Sequence, residues 1–276
     1  MKLNHSTGVI AFLLATPLVS GLTVGIGPSS AAIIAGSAAE VTIYNFSHRP
    51  KANGTFTNTY TETTANSGSV ISQANAEGVV ISKAHVRLAA TLSESKVQGD
   101  GSNYYGLAQS QAIVIGDFDI APEETFSFNF QTVLDLFTSV DNRQSERASA
   151  RVSIFFGLID PFTNMVFDSF ELANGLDSSS GLSLELSGSN SFNPTTINLN
   201  FMPEGSTAKS LLYTSGGYSR TFDSATNLRL VEVNNNTAEA EAVPEPSTLL
   251  GTAIFLGLFV RRRKLNNKLS PVKSKV

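Results

Sequence analysis

The chain has 276 residues, of which 41% are hydrophobic and none is cysteine, a composition that allows one core of about 200 residues and excludes disulfides, thiolate nucleophiles and zinc–thiolate sites. All 23 acidic residues lie between Glu40 and Pro246, together with 11 of the 19 basic residues, so this segment carries a net charge of −12. That charge argues against nucleic acid as a partner, because phosphate backbones repel an acidic surface.

The N-terminus has the order of features that is typical of a secretory signal peptide. A weak positive charge precedes an apolar run from Gly8 to Val19, and a stretch of small residues follows it. The small residues at 37–39 occupy the positions that a signal peptidase recognises, so we predict that residues 1–39 are removed by cleavage after Ala39. The small residues at 30–32 offer an alternative cleavage site. A permanent membrane helix is the other interpretation, which the proline and glycines of this stretch disfavour.

Hydrophobic and polar residues alternate from Glu40 to Val233, which indicates β-strands with one face on a core and the other in water. Glu124–Phe130 and Ile197–Phe201 are the clearest of these strands. Connections rich in Gly and Ser, such as the one at 215–217, predict turns. Thr132–Val140 has apolar residues at helical spacing, so we predict a helix there. Many short strands with such turns predict an all-β fold for residues 40–233, an antiparallel β-sandwich that is jelly-roll-like in size.

Four residues of this segment are candidates for binding a ligand. Asp117 and Asp119 would lie on one face of a strand, where carboxylate oxygens and a backbone carbonyl could hold a calcium ion. A solvated strand end before a turn is the alternative interpretation of the same pair. Tyr104 and Tyr105 follow a stretch rich in Gly and Asn and could stack on a sugar ring, although exposed tyrosines are also ordinary in loops.

The sequence has no pattern that is typical of a catalytic site. His48 and His85 have no partner at metal-ligand spacing, which argues against zinc. Ser-x-x-Lys occurs at Ser93 and Ser206, but the companion motifs of that class of serine nucleophile are missing, and there is no Gly-x-Ser-x-Gly sequence. We therefore predict a non-enzymatic protein without catalytic or metal-ligating residues and without a cofactor, with calcium as the one ion to consider.

The segment before the C-terminal apolar run is polar and then contains two prolines. Residues 234–243 are mostly Asn, Ala and Glu and are predicted to form a polar linker. Pro244, Glu245 and Pro246 follow, and two prolines that flank a glutamate keep the chain extended and unable to join the next helix. We expect such a stretch to be accessible to the groove of an enzyme.

The C-terminal apolar run predicts a single short transmembrane helix. Thr248 to Val260 is an uninterrupted run of about 13 residues, which span roughly 20 Å as a helix and fall short of the hydrocarbon core of roughly 30 Å. Four basic residues follow directly: Arg261, Arg262, Arg263 and Lys264. Such a cluster stays in the cytoplasm, so everything before Ser247 is placed outside, in agreement with the signal peptide. Residues 265–276 form a basic cytoplasmic tail, and a span this short suits a transient anchor.

Residues 243–264, with the sequence VPEPSTLLGTAIFLGLFVRRRK, resemble the PEP-CTERM sorting segment of bacteria that have an outer membrane. That family combines Pro-Glu-Pro, a short transmembrane stretch and an arginine cluster near the C-terminus. The resemblance implies recognition by an exosortase, a membrane-embedded transpeptidase-like enzyme. This chain departs from the pattern in its tail at 265–276, since the family usually ends soon after the arginines. Segments at 116–130 and 218–222 also resemble ectodomains often found ahead of this sorting segment, whose biochemical roles are mostly unassigned.

On this resemblance we expect an exported protein of the cell surface or extracellular matrix with a non-enzymatic structural or interaction role. Residues 244–264 would act as the sorting segment. The expected partners are the exosortase, the export machinery, the membrane before processing, and exopolysaccharide. A carbohydrate-binding module of the matrix is the first alternative, and a secreted glycan hydrolase with paired carboxylates is the second.

Overall fold

The computed structural model describes residues 32–83 and 86–243, which form twelve β-strands and no helix. The strands are β1 (Ala32–Tyr44), β2 (Ala52–Ala65), β3 (Gly68–Lys83), β4 (Val86–Gly101), β5 (Tyr104–Ile120), β6 (Glu124–Ser139), β7 (Glu146–Ile159), β8 (Val166–Asp177), β9 (Gly181–Gly188), β10 (Phe192–Glu204), β11 (Thr207–Phe222) and β12 (Thr226–Ala242). Most of these strands are two to three times as long as the usual strand of about 5–6 residues. The sandwich is therefore tall along the strand direction.

The strands form two six-stranded antiparallel sheets that pack face to face. Sheet A has the order β10-β11-β6-β1-β4-β3, and sheet B has the order β2-β5-β12-β7-β8-β9. The predicted all-β antiparallel sandwich is therefore confirmed. β1 lies between β6 and β4, and β12 lies between β5 and β7, so the first and the last strand occupy interior positions of the two sheets.

Phenylalanine side chains fill much of the space between the sheets. On β6, Phe126, Phe128 and Phe130 alternate with outward-facing residues and are buried. The ring centroids of Phe130 and Phe156 are 5.2 Å apart, and those of Phe128 and Tyr218 are also 5.2 Å apart. These separations are in the range at which aromatic pairs are favourable. The alternation that predicts β6 thus also selects the residues that form the core.

The predicted helix at Thr132–Val140 is wrong, because residues 132–139 form the second half of β6. This half pairs with β1 on one side and β11 on the other, and both neighbours contribute hydrogen bonds to its backbone. Val133 and Phe137 point away from the core but are only half-exposed. Apolar residues therefore occur on both faces of the strand, and their spacing resembles that of a helical stripe.

The sandwich begins earlier and ends later than the sequence predicts. β1 starts at Ala32 rather than at residue 40, and β12 extends to Ala242 through most of the segment predicted to be a linker. Asn234 lies in this extension and is fully buried, and its Nδ2 donates a hydrogen bond to the carbonyl oxygen of Ala39 at 3.0 Å. The polar composition of residues 234–243 predicts a linker. Composition does not reveal that an amide such as that of Asn234 has a hydrogen-bond partner inside the sandwich.

A layer of buried polar side chains divides the core into two hydrophobic clusters. The layer consists of Ser37, Thr91, Ser93, Ser95, Ser110, Glu232, Asn234 and Asn236. Glu232 is 1% exposed, and its Oε1 accepts a hydrogen bond from Thr91 Oγ1 at 3.0 Å. Within the described ranges its Oε2 has no hydrogen-bond partner. Burial raises the pKa of this carboxyl well above its ordinary value.

The first and last described strands begin and end at the same end of the sandwich. Ala32 pairs with Asp100 and Ala242 pairs with Tyr104, and a two-residue turn joins the strands of Asp100 and Tyr104. We call this end the proximal end, with connections at 66–67, 102–103, 140–145, 178–180 and 205–206. The opposite, distal end has connections at 45–51, 121–123, 160–165, 189–191 and 223–225.

Candidate functional site

The residues predicted to direct sorting lie outside the part of the chain that the structure describes. Outside it are the tripeptide Pro244, Glu245 and Pro246, the predicted transmembrane helix, the basic cluster Arg261, Arg262, Arg263 and Lys264, and residues 1–31 of the predicted signal peptide. Among residues 32–83 and 86–243, no helix is long and apolar enough to cross a membrane. These predictions on the two ends therefore stay predictions as far as the structure is concerned.

The sandwich leads into the predicted sorting motif without a spacer. β12 ends at Ala242, and the backbone N–H of Val243 donates a hydrogen bond to the carbonyl oxygen of Ser145 at 2.9 Å. Pro244 is the next residue. The segment predicted to be a polar linker, residues 234–243, thus belongs to the folded domain up to the residue before Pro244.

Ala39, the predicted signal cleavage site, lies in the middle of β1. Its side chain is fully buried, and it pairs with Ser93 of β4 and Leu134 of β6. Cleavage after Ala39 would remove residues 32–39 and leave the interior of sheet A without half of a strand. The alternative site at 30–32 leaves β1 almost intact, so the fold favours that site.

Asp117 and Asp119 share the outer face of β5, as the alternation predicts, and each is paired with a cation. Asp117 forms a two-point ion pair with Arg229, in which Nε and an Nη of the guanidinium lie 2.7 and 2.9 Å from its two carboxylate oxygens. Hydrogen bonding by Arg229 holds the pKa of Asp117 below its ordinary value. Asp119 pairs with Lys51. In the described part of the chain, no group of three or more His, Cys, Asp and Glu side chains is arranged to hold a metal ion.

Tyr104 and Tyr105 open strand β5 rather than a loop. Tyr104 is 3% exposed, and burial raises the pKa of its hydroxyl. Tyr105 points to the outer face of sheet B and is half-buried. At about 3.3 Å per residue, the tyrosines lie roughly 40 Å along β5 from Asp117 and Asp119. The four predicted ligand residues therefore do not form one site.

A polar groove of about 430 Å³ lies on the outer face of sheet A at its distal end. Four strands contribute to it, namely β1, β6, β10 and β11. Its lining includes Tyr44, Ser127, Asn129, Asn193, Thr195 and Ser219. No charged side chain is part of the lining. Its volume is in the range of ligand-binding clefts, roughly 300–1,000 Å³.

The depth of this groove results from the local sequence of β10 and β11. In one row across the sheet, Asn193 pairs with Gly217, Gly217 with Asn129, and Asn129 with Tyr44. Gly217 has no side chain, so the space between the two amides stays open above the backbone. A register shift between Pro194 and Thr196 on β10 further displaces that strand. The sequence predicts a turn at 215–217, but these residues lie inside β11.

The chemistry of the groove suits an uncharged ligand that is rich in hydroxyl groups. Asn129 and Asn193 each offer an amide that can donate and accept, and Ser127 and Ser219 offer hydroxyls. Tyr44 supplies the aromatic surface on which an apolar ring face can stack. Strands lie about 4.8 Å apart, so the two amides on either side of Gly217 are separated by roughly 10 Å. Sequence reasoning missed this site because its residues come from four distant segments.

One comparison with known proteins gives a match. The family model described as the PEP-CTERM protein-sorting motif matches residues 242–264, from the last residue of β12 through the basic cluster. No curated protein and no solved structure matches the chain. The motif confirms the resemblance drawn from the sequence, and it implies export to the cell surface with processing by an exosortase. Residues 242–264 of this chain therefore carry a PEP-CTERM protein-sorting motif.

Proposed function

We propose that this chain is a non-enzymatic protein of the cell surface or extracellular matrix, and that its sandwich is the part displayed after exosortase processing. The observation that carries the proposal is the sorting motif at 242–264, which begins at the last residue of the sandwich. Because β12 ends before Pro244, processing within the motif leaves every strand of the domain in place. A folded body and a removable anchor are the two parts that a displayed protein needs.

The environment of the carboxyl groups supports a non-enzymatic role. Glycan hydrolysis requires an accessible acid with a raised pKa beside a second carboxylate. Asp117 is held ionised by Arg229, and Asp119 is paired with Lys51. Glu232 does have a raised pKa, but it is 1% exposed and out of reach of a substrate. Asp117, Asp119 and Glu232 are therefore unsuited to act as the carboxylate pair of a glycan hydrolase.

A second candidate function is carbohydrate binding, which the groove near Tyr44 favours. An uncharged lining of amides and hydroxyls beside one aromatic ring complements a neutral sugar. We propose that the displayed sandwich binds neutral polysaccharide of the surrounding matrix at this groove. The mostly acidic body also makes a strongly acidic polysaccharide a poor ligand, because like charges repel.

Replacing Pro244, Glu245 and Pro246 with alanine is expected to leave unprocessed precursor in the inner membrane, since the extended stretch that the exosortase recognises is lost. Intact-mass measurement of the membrane and surface fractions reports the processing. A matched control replaces Asn266, Asn267 and Lys268 in the tail beyond the motif and should mature normally. Normal maturation of the first variant would contradict motif-dependent sorting.

Filling the floor of the groove by Gly217→Val is expected to weaken binding of neutral polysaccharide at least tenfold, or about 1.4 kcal/mol. The added side chain would occupy the space beside Asn129, where even a Cβ lies 3.2 Å from Oδ1. Retardation of the mature protein in gels that contain matrix polysaccharide measures the affinity. Gly54→Val is the control, because a Cβ at Gly54 meets nothing within 4 Å and lies on the other sheet. Equal retardation of both variants would contradict binding at this groove.

A further inference from the structure

The sandwich is closed along one edge and open along the other. At the closed edge, β2 and β3 are joined by a tight connection, and Ser72 Oγ donates a hydrogen bond across it to the carbonyl oxygen of Glu62 at 3.2 Å. At the other edge, β9 is the last strand of sheet B and β10 is the last strand of sheet A. In the described chain each of them pairs on one side only, so one row of backbone donors and acceptors on each strand has no strand partner.

The open edge exposes apolar side chains that point towards the core. Leu186 is the register partner of the buried Leu172, and Leu199 is the partner of the buried Leu212, which places both on the inner faces of their sheets. Five of the large apolar residues that face inward along this edge are 37–48% exposed, namely Leu184, Leu186, Ile197, Leu199 and Phe201. Together they line an apolar cleft between β9 and β10. A contiguous patch of this kind on a folded domain is typical of an interaction surface.

A buried hydrogen bond between the two sheets lies at the base of the cleft, and no charged side chain of β9 or β10 points into it. Behind it, Asn174 Nδ2 of β8 donates a hydrogen bond to Ser210 Oγ of β11 at 3.2 Å, and both side chains are buried. Glu185 and Glu204 are the only charged residues of β9 and β10, and alternation directs both to the outer faces. A partner for this cleft must therefore supply uncharged extended strands with apolar side chains on one face.

We propose that the open edge binds the open edge of a second copy of this chain, about a twofold axis parallel to the strands. β9 runs from the proximal to the distal end, and β10 runs in the opposite direction. Rotation about such an axis places β10 of one copy beside β9 of the other, in antiparallel orientation, at both sheets simultaneously. Sheet A of each copy then continues into sheet B of the other copy, which gives two continuous sheets. The apolar residues of both clefts enclose a shared core between these sheets.

The open edge of one copy is complementary to the open edge of a second copy. Each copy offers one strand of each direction, one in each sheet, so the unpaired backbone groups of β9 and of the facing part of β10 find partners in both sheets. The arrangement is closed, since a twofold contact uses up both edges and leaves none for further addition. The axis also keeps both proximal ends on the same side. Two copies whose sorting segments are held in one membrane can therefore associate, whereas β10-to-β10 pairing would require opposite orientations.

Sedimentation of the mature protein recovered from producing cells tests the association. We expect a particle of twice the chain mass. Leu199→Glu is expected to give the mass of one chain, because it places a charge in the shared core. Asn200→Glu, one residue further along β10 on the outer face, should keep the doubled mass. A parent protein with the mass of one chain would overturn the proposal, and so would equal dimerisation of the two variants.

Cross-linking tests the strand pairing independently of whether Leu199→Glu folds. The chain has no cysteine, so Ser187→Cys on β9 and Asn198→Cys on β10 can be introduced together in a background without other thiols. Within one chain these positions lie on opposite outer faces of the sandwich, too far apart for a disulfide, which requires Cα atoms within about 7 Å. Ser183→Cys and Asn200→Cys provide neighbouring registers.

Oxidation is expected to give covalent dimers for at least one of these β9–β10 combinations and for none of the single variants. Dimers of the single Asn198→Cys variant at the same yield would indicate β10-to-β10 pairing and overturn the arrangement. Covalent dimers from no combination would also overturn it. Neither result depends on the groove near Tyr44 or on the sorting motif.

Discussion

Replacing Phe156 with alanine is expected to lower the free energy of unfolding by about 3–5 kcal/mol. Phe156 is fully buried at the centre of sheet B, and its ring centroid lies 5.2–6.4 Å from those of Phe128, Phe130, Phe170 and Phe192. The variant loses the hydrophobic burial of a whole ring and leaves a cavity among side chains from both sheets. Urea unfolding followed by circular dichroism measures the change.

Phe155 provides the matched control, because it is the preceding residue on the same strand. It points to the outer face of sheet B, is half-exposed, and pairs with Val233 and Glu171. Phe155→Ala is therefore expected to cost only about 1 kcal/mol. If the two variants lost the same free energy of unfolding, the assignment of inner and outer faces on β7 would be wrong.

Replacing Glu232 with glutamine is expected to stabilise the domain near neutral pH. Because the pKa of this buried carboxyl is raised in the folded state, its contribution to stability is complete below the ordinary value of 4.5 and is lost as the pH rises through the folded pKa. Between these two values the parent loses about 1.4 kcal/mol for each pH unit relative to the variant. Glutamine keeps an acceptor for Thr91 and carries no proton to lose.

The measurement compares the free energy of unfolding of the parent and Glu232→Gln from pH 5 to pH 8. We expect the difference between them to grow with pH in favour of the variant. Glu171→Gln is the control, since this carboxyl is exposed on the outer face of the same sheet. A difference that does not change with pH would show that Glu232 is ionised in the folded protein.

Much of the fold follows from alternation in the sequence, and the errors have local physical causes. Leu228, Leu230 and Glu232 have the same parity, so alternation alone places Glu232 inside the sandwich. Its burial was not predicted, since a carboxyl is normally assumed to face water. Gly216 and Gly217 were predicted to form a turn. They lie inside a strand, where a Cβ at Gly216 would approach the ring of Phe130 to 2.7 Å.

The candidate site was less predictable than the fold, because it depends on the order of strands in the sheets. Periodicity correctly places Asp117 and Asp119 on one face of a strand. It does not reveal that Lys51 and Arg229, distant in sequence, are brought beside them by β2 and β12. The groove near Tyr44 depends on the same kind of information. No single segment of the sequence reveals that β10, β11, β6 and β1 are neighbours in sheet A.

The interior positions of β1 and β12 determine when the protein can fold. β12 is the last of the twelve described strands in chain order, yet β5 and β7 both require it as their common neighbour. Sheet B therefore cannot be completed until the chain up to residue 242 is available to pair. Pairing across such sequence distances is slow. Completion of the sandwich therefore waits for the residues that immediately precede the sorting motif.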